Sequence, residues 1–165
     1  MQRTRLKDAA WHVRRDIAWS PILPSGMVEA LARDPDNEVR EAIAERYDLP
    51  DKLVEMLARD HYYKVRNRIA ERPFLPVALV RSLAADADVD VRWRIAKRAD
   101  LPHDLFAVLA ADPSPHVRCG IAWRPDLPDA LAATLAADAD ADVRRSIAFR
   151  AARPLPVLVD GEWYI

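Results

Sequence analysis

The side chains best equipped for chemistry are few and scattered. Cys119 is the only cysteine among 165 residues, and Arg118 beside it would favour a thiolate. No histidine and acid accompany it, so an inert thiol is the expectation. One cysteine also excludes an intrachain disulfide and a Cys-rich zinc or iron–sulfur site built from this chain alone. His12, His61, His103 and His116 are isolated, whereas a bound metal needs clustered ligands. Only Gly26, Gly120 and Gly161 are glycine, so no loop can cradle a phosphate through closely approaching backbone. No nucleophile elbow or His-Glu-x-x-His stretch occurs. Neither metal, cofactor nor catalysis is expected.

Arginine is the dense exception, and its spacing leads back to the elements that hold it. Val-Arg recurs at Val13-Arg14, Val39-Arg40, Val65-Arg66, Val91-Arg92, Val117-Arg118 and Val143-Arg144, a step of 26 residues. Ile17, Ile43, Ile69, Ile95, Ile121 and Ile147 keep the same step, each followed by alanine. So do Pro24, Pro50, Pro76, Pro102, Pro128 and Pro154. Leu31, Leu57, Leu83, Leu109 and Leu135 each precede an aspartate by three positions, at Asp34, Asp60, Asp86, Asp112 and Asp138. Valine and isoleucine four residues apart share one face of a first short helix. The proline stops it and is favoured at the first position of the next. Leu49, Leu53 and Leu57 then line one face of a second helix, and Asp36, Asp88, Ser114 and Asp140 are placed to cap the following first helix. Helices this short are marginal alone and must stack on their neighbours.

The reading is therefore a single all-α repeat domain over residues 1–165, a solenoid of six two-helix copies. They span 11–36, 37–62, 63–88, 89–114, 115–140 and 141–165, with a 1–10 extension and a 155–165 cap. The pattern Asp-Val-Arg-x-x-Ile-Ala-x-Arg-Pro-Asp-Leu-Pro-x-x-Leu-x-x-x-Leu-Ala-x-Asp, nearly intact from Asp90 to Asp112 and again from His116 to Asp138, resembles the leucine-rich repeat variant family. That resemblance implies a right-handed, HEAT-like superhelix of α and 3₁₀ helices without a sheet. True HEAT repeats are usually longer. The family also includes a cysteine-ligated iron–sulfur segment ahead of such repeats, which a lone cysteine cannot supply, so no redox role is carried over.

A composition 51% hydrophobic and 31% charged, without an apolar run long enough for a signal or a membrane span, leads us to expect a cytoplasmic globular protein. The net charge of −1 is unevenly spread. The six first-helix windows hold 17 Lys+Arg and 7 Asp+Glu, which suggests a basic face tracking nucleic-acid phosphates. Eleven of those cations are fixed by the repeat: the six after valine, plus Arg46, Arg72, Arg98, Arg124 and Arg150 at the helix end. Removing them leaves six cations against seven anions. The fixed arginines are better read as architecture, capping helix carbonyls or pairing with the periodic aspartates.

Recognition then falls to positions that vary between copies. The second, third and sixth residues after the valine face outward, and copies four to six place Trp93, Arg94, Lys97, Trp123, Arg145 and Phe149 there. Aromatic residues beside arginine are typical of protein interfaces. These six are the candidate partner-binding residues of a non-catalytic scaffold for a protein or peptide; a nucleic-acid-binding solenoid using the arginine layer is the alternative. The bland reading is that the rings cover Gly120 or lie under the Trp163-Tyr164-Ile165 tail. Second-helix alanines such as Ala78, Ala107 and Ala130 allow weak self-association but are more simply helix formers.

Overall fold

A computed structural model describes residues 10–152, 157–159 and 162–164. Among these residues are eleven α-helices: α1 (Trp11–Ala18), α2 (Ser25–Leu31), α3 (Asn37–Ala44), α4 (Asp51–Leu57), α5 (Tyr63–Ala70), α6 (Val77–Ala84), α7 (Val89–Ala96), α8 (Asp104–Ala110), α9 (Pro115–Ala122), α10 (Asp129–Ala136) and α11 (Ala141–Ala152). Odd-numbered helices are the first helices of the six copies and even-numbered ones the second. This is the helical repeat architecture that the 26-residue step dictates. None of these helices is long and apolar enough to cross a membrane.

The chain divides into two compact units, Met1–Ile95 and Ala96–Ile165. In the first, α1 packs on α3 and α3 on α5, while α2 and α4 each bridge one first helix to the next. In the second, α9 packs on α11, with α8 and α10 beside them. The repeated apolar positions make both cores. Val39, Ile43, Leu57, Val65, Ile69 and Leu83 are buried in the first unit, and Phe106, Leu109, Val117, Ile121, Leu135 and Val143 in the second.

The helix boundaries differ from the sequence expectation in instructive ways. Pro24, Pro50, Pro76 and Pro128 are not the first helical residue but the N-cap, with φ between −59° and −54° and ψ near 140°. The ring fixes φ, and in Pro24, Pro50 and Pro76 the carbonyl accepts both the i+3 and i+4 amides, as Pro50 does from Leu53 at 2.8 Å and Val54 at 3.1 Å. Asp36, Asp88 and Asp140 cap as expected, accepting the amides of Glu38, Asp90 and Asp142 at 2.8–2.9 Å. Ser114 does not. It stands at the N-cap of α9 without a side-chain cap bond, and its own amide donates to Asp112 Oδ1 at 2.8 Å. The 3₁₀ character implied by the family resemblance is confined to single tight bonds at helix ends, such as Arg46 N to Ile43 O and Asp60 N to Leu57 O, both 3.1 Å.

Copy six departs most. Its first helix, α11, runs twelve residues instead of eight, because no Asp-Leu-Pro stop follows Arg150 and the first proline is Pro154. Beyond it β1 (Val157–Val159) and β2 (Glu162–Tyr164) form an antiparallel ribbon pairing Val157 with Tyr164 and Val159 with Glu162. The sequence reading expects a cap there and no strand. Valine and aromatic residues favour the extended chain. Residues 1–9 of the expected extension and the rest of the expected cap lie outside the described residues, as does the reading that the tail covers Phe149.

If buried stacking of first helices holds each unit together, Ile69→Ala, at a position with no solvent exposure, should cost roughly 2–5 kcal/mol, read as a lower midpoint in urea with unchanged slope.

Candidate functional site, the outward face of the first helices

The two arginine series do different jobs. Four of the arginines after valine reach the aspartate twenty residues on, through Nε and Nη2 to the two carboxylate oxygens. Arg14 holds Asp34, Arg40 holds Asp60, Arg66 holds Asp86 and Arg118 holds Asp138, all at 2.6–2.9 Å. The third guanidinium nitrogen, Nη1, donates to two carbonyls in the loop before its own helix. Arg40 takes Asp34 O and Pro35 O at 2.8 and 3.1 Å, and Arg66, Arg92 and Arg118 repeat this with their own loops. Each aspartate meanwhile accepts the amide two residues on, as Asp60 does from Tyr62 at 2.9 Å.

The helix-end series does not pair with those periodic aspartates. It caps the first helix of the preceding copy: Arg46 donates to the carbonyls of Ala18 and Ser20, Arg72 to those of Arg46 and Tyr47, Arg124 to those of Ala96 and Arg98, and Arg150 to those of Arg124 and Leu127. Its carboxylate partner lies two residues on, in Arg46 with Asp48, Arg98 with Asp100 and Arg124 with Asp126 at 2.7–2.8 Å. Arg124 Nε is buried without a hydrogen-bond partner, and the guanidinium lies 4.6 Å from the centre of the Phe106 ring, whose electrons offset part of that loss. A phosphate approaching a guanidinium held in either of these ways would have to displace a carboxylate or a carbonyl.

The pairing shifts the titration of the groups involved. The Asp34 and Asp60 forks hold Arg14 and Arg40 above the ordinary arginine value. Burial pushes the Asp60 carboxyl up, but the Arg40 fork, the Tyr62 amide and the Arg40 and His61 charges together outweigh it, so Asp60 titrates below the usual carboxylate range. The Arg118 fork lowers Asp138 against its burial, helped by the Asp140 amide. Cys119 moves the other way. Burial raises its thiol, Asp140 and Asp142 add to this, and the Ser146 hydroxyl and Arg118 only partly oppose it. Arg118 is spent on Asp138, so the thiolate it could have favoured is not supported. Among the described residues no three His, Cys, Asp or Glu side chains gather as metal ligands.

The outward positions of the first unit largely satisfy one another across copies. Trp19 Nε1 donates to Glu45 at 3.1 Å, Arg68 bridges Glu41, Glu45 and Glu71 at 3.1–3.3 Å, and Arg94 reaches Glu71 at 2.7 Å and Asn67 at 3.4 Å. Arg94 also lies 5.1 Å from the Trp93 ring. Of the six candidate residues, Trp93 and Arg94 therefore belong to this first-unit ladder, with Trp93 half-buried.

Lys97, Trp123, Arg145 and Phe149 belong to the second unit. There Trp123 and Phe149, one copy apart, stack with centroids 6.1 Å apart and planes 9° from parallel. They remain 46% and 55% exposed. Arg145 is exposed one turn before Phe149 and pairs with Asp142, and Lys97 is exposed. Gly120 and Ser146 on the same helices are buried, Ser146 donating to Asp142 O at 2.8 Å.

Three surface features escaped the sequence reading. Arg15 lies between the rings of Trp11 and Trp19, 5.2 and 4.9 Å away, an arrangement that the i, i+4, i+8 spacing could have signalled. Ile22 and Phe74, each more than four-fifths exposed, stand where other copies have Asp48, Asp100 and Asp126, a departure readable by aligning the copies. A cleft of about 410 Å³ lined by Ala44, Glu45, Tyr47, Arg68, Glu71 and Arg72 had no signal, since it depends on how neighbouring helix ends splay.

Because Asp60 and Asp138 have folded values below their unfolded ones, the stability they contribute is complete above about pH 4, the ordinary carboxylate value, and is lost as pH falls through the folded value. Asp60→Asn should therefore lower the urea midpoint at pH 7 and reduce its fall between pH 5 and 2. Arg66→Gln, which strands a largely buried Asp86, should cost roughly 3–5 kcal/mol in the same measurement.

Comparison with known proteins agrees with this geometry. No protein-family model matches the sequence, and no curated protein matches it. The solved structure of a leucine-rich repeat variant with a novel repetitive structural motif does match, with a TM-score of 0.71 and 33% sequence identity over 87% of this chain. This chain spans 57% of that one. The repeat signature and this three-dimensional likeness together show that the chain has the leucine-rich repeat variant fold.

Proposed function

We propose that this protein is a binding scaffold for another protein or peptide, and that the exposed Trp123–Phe149 pair, flanked by Arg145, is the principal contact surface. The repeat fold supports a binding role in general. The observation that carries the finer reading is a contrast at one repeat position. Trp19, Glu45 and Glu71, sixth after the valine in copies one to three, are engaged in the polar ladder, while Trp123 and Phe149 at the same position form a flat apolar face left open to solvent. Two stacked rings present a rigid apolar surface with few torsions to freeze, and an adjacent arginine adds directional donors at the rim. Trp93 and Arg94 belong to the first unit and are not assigned to this surface, and Arg94 is already held by Glu71 and Asn67.

The full chain immobilised in an extract of its native cells should retain a protein that the Trp123→Ala, Phe149→Ala double variant loses, while far-ultraviolet circular dichroism and the melting midpoint stay near those of the original. Equal retention by the variant would sink the assignment. Titration with duplex and single-stranded DNA and RNA at low salt should show no tight binding, since the repeat-fixed arginines other than Arg144 are engaged by carboxylates or carbonyls; strong, salt-dependent binding would favour nucleic acid instead.

A further inference from the structure

Copy six contains an arginine whose counterpart in other copies always holds something. Arg144 keeps the anchoring half of the arrangement, its Nη1 donating to Asp138 O at 2.6 Å and Ala139 O at 2.9 Å, as Arg118 donates to Asp112 O and Pro113 O at 2.8 and 3.2 Å. The side chain is thus fixed by the same pair of carbonyls. Twenty residues on, where Arg14, Arg40, Arg66 and Arg118 meet an aspartate, the sequence has Tyr164. Among the described residues no carboxylate meets the Nε and Nη2 edge of Arg144, and the residue is exposed while its four counterparts keep only 6–15% of their side-chain surface.

A second observation shows that the surface around it is uncovered. The alanine after isoleucine is buried in five copies, Ala18, Ala44, Ala70, Ala96 and Ala122 all being at most 1% exposed. Ala148, one turn after Arg144 on the same side of α11, is exposed. Small side chains beside the fork leave room for a partner's backbone to approach.

We propose that Arg144 is a preorganised receptor for a carboxylate on a partner polypeptide, specifically an aspartate at the C-terminal end of a short helix. Four internal copies of the same receptor define the occupant: a side-chain carboxylate taken bidentately at 2.6–2.9 Å, delivered by a Leu-Ala-x-Asp-like segment such as Leu135-Ala136-Ala137-Asp138. Planar two-point pairing suits arginine and carboxylate, and the anchored Nη1 means little side-chain freedom is lost on binding. The site is independent of the Trp123–Phe149 surface.

The test uses the full chain labelled with ¹⁵N and follows arginine Nε–H signals, with Arg144 identified by the peak missing from Arg144→Gln. The probe is a blocked synthetic peptide of residues 128–142, which carries Asp138. Millimolar peptide should shift the Arg144 signal saturably and leave the Arg118 signal in place. The same peptide with Asp138→Asn should bind at least fivefold more weakly. No shift at Arg144, an equal response to the Asn peptide, or an equal response to inorganic phosphate at the same concentration would each overturn the proposal.

Discussion

A helix of seven or eight residues leaves about as many backbone carbonyls without an intrahelical partner as it satisfies, and this chain answers that shortage with arginine. A longer helix would dilute the problem, but a 26-residue copy holding two helices and two turns has no room for one. The arginine after valine ties down the loop that enters its helix, and the arginine at the helix end ties down the carbonyls that leave the helix before. Aspartates then do the reverse for exposed amides, at the N-cap and in the turn ahead of it. Burial of valine, isoleucine and leucine supplies the drive to stack, but only after these polar groups have partners can the layers close without stranding a donor or an acceptor.

This division explains why charge is so unevenly spread along the sequence and yet gives little field for a ligand to follow. Basic first helices and acidic turns are two halves of one set of contacts, and the fork geometry consumes both. Variable charges of the first unit are spent in the same way, since Arg68 alone engages three glutamates from two copies. An excess of arginine in one element is thus a poor guide to phosphate binding where the repeat supplies a carboxylate at a fixed distance. What remains open to a partner is set by exceptions, places where a copy has an aromatic ring or lacks the expected acid.

The repeat length, both apolar stripes, the aspartate caps and the separation of fixed from variable arginines are legible in the sequence, because each follows from helical periodicity or from recurrence. The partition of the two arginine series is less so. Both lie on first helices with aspartates within reach, and only the direction of the side chains shows that Arg40 meets Asp60 while Arg46 meets Ala18 and Ser20. The ladder joining Trp19, Glu45, Arg68, Glu71 and Arg94 is hidden for a similar reason: its partners in different copies are 23 to 27 residues apart, a spacing with no local signature. Proline at the N-cap, the silent hydroxyl of Ser114 and the ribbon after α11 depend on local backbone choices that the repeat does not fix.

The joints between copies have a further property. Arg46, Arg124 and Arg150 each grip the main chain of the copy before, and Arg40, Arg66 and Arg118 grip main-chain carbonyls in the connecting loop. Main-chain carbonyls are the same whatever side chains surround them. A copy can therefore be gained or lost by a gene in steps of one whole unit without either neighbour having to change its residues at the seam, and surface positions can drift copy by copy while the joinery stays compatible. Evolution can tune the length of such a protein and the pattern it displays as separate variables.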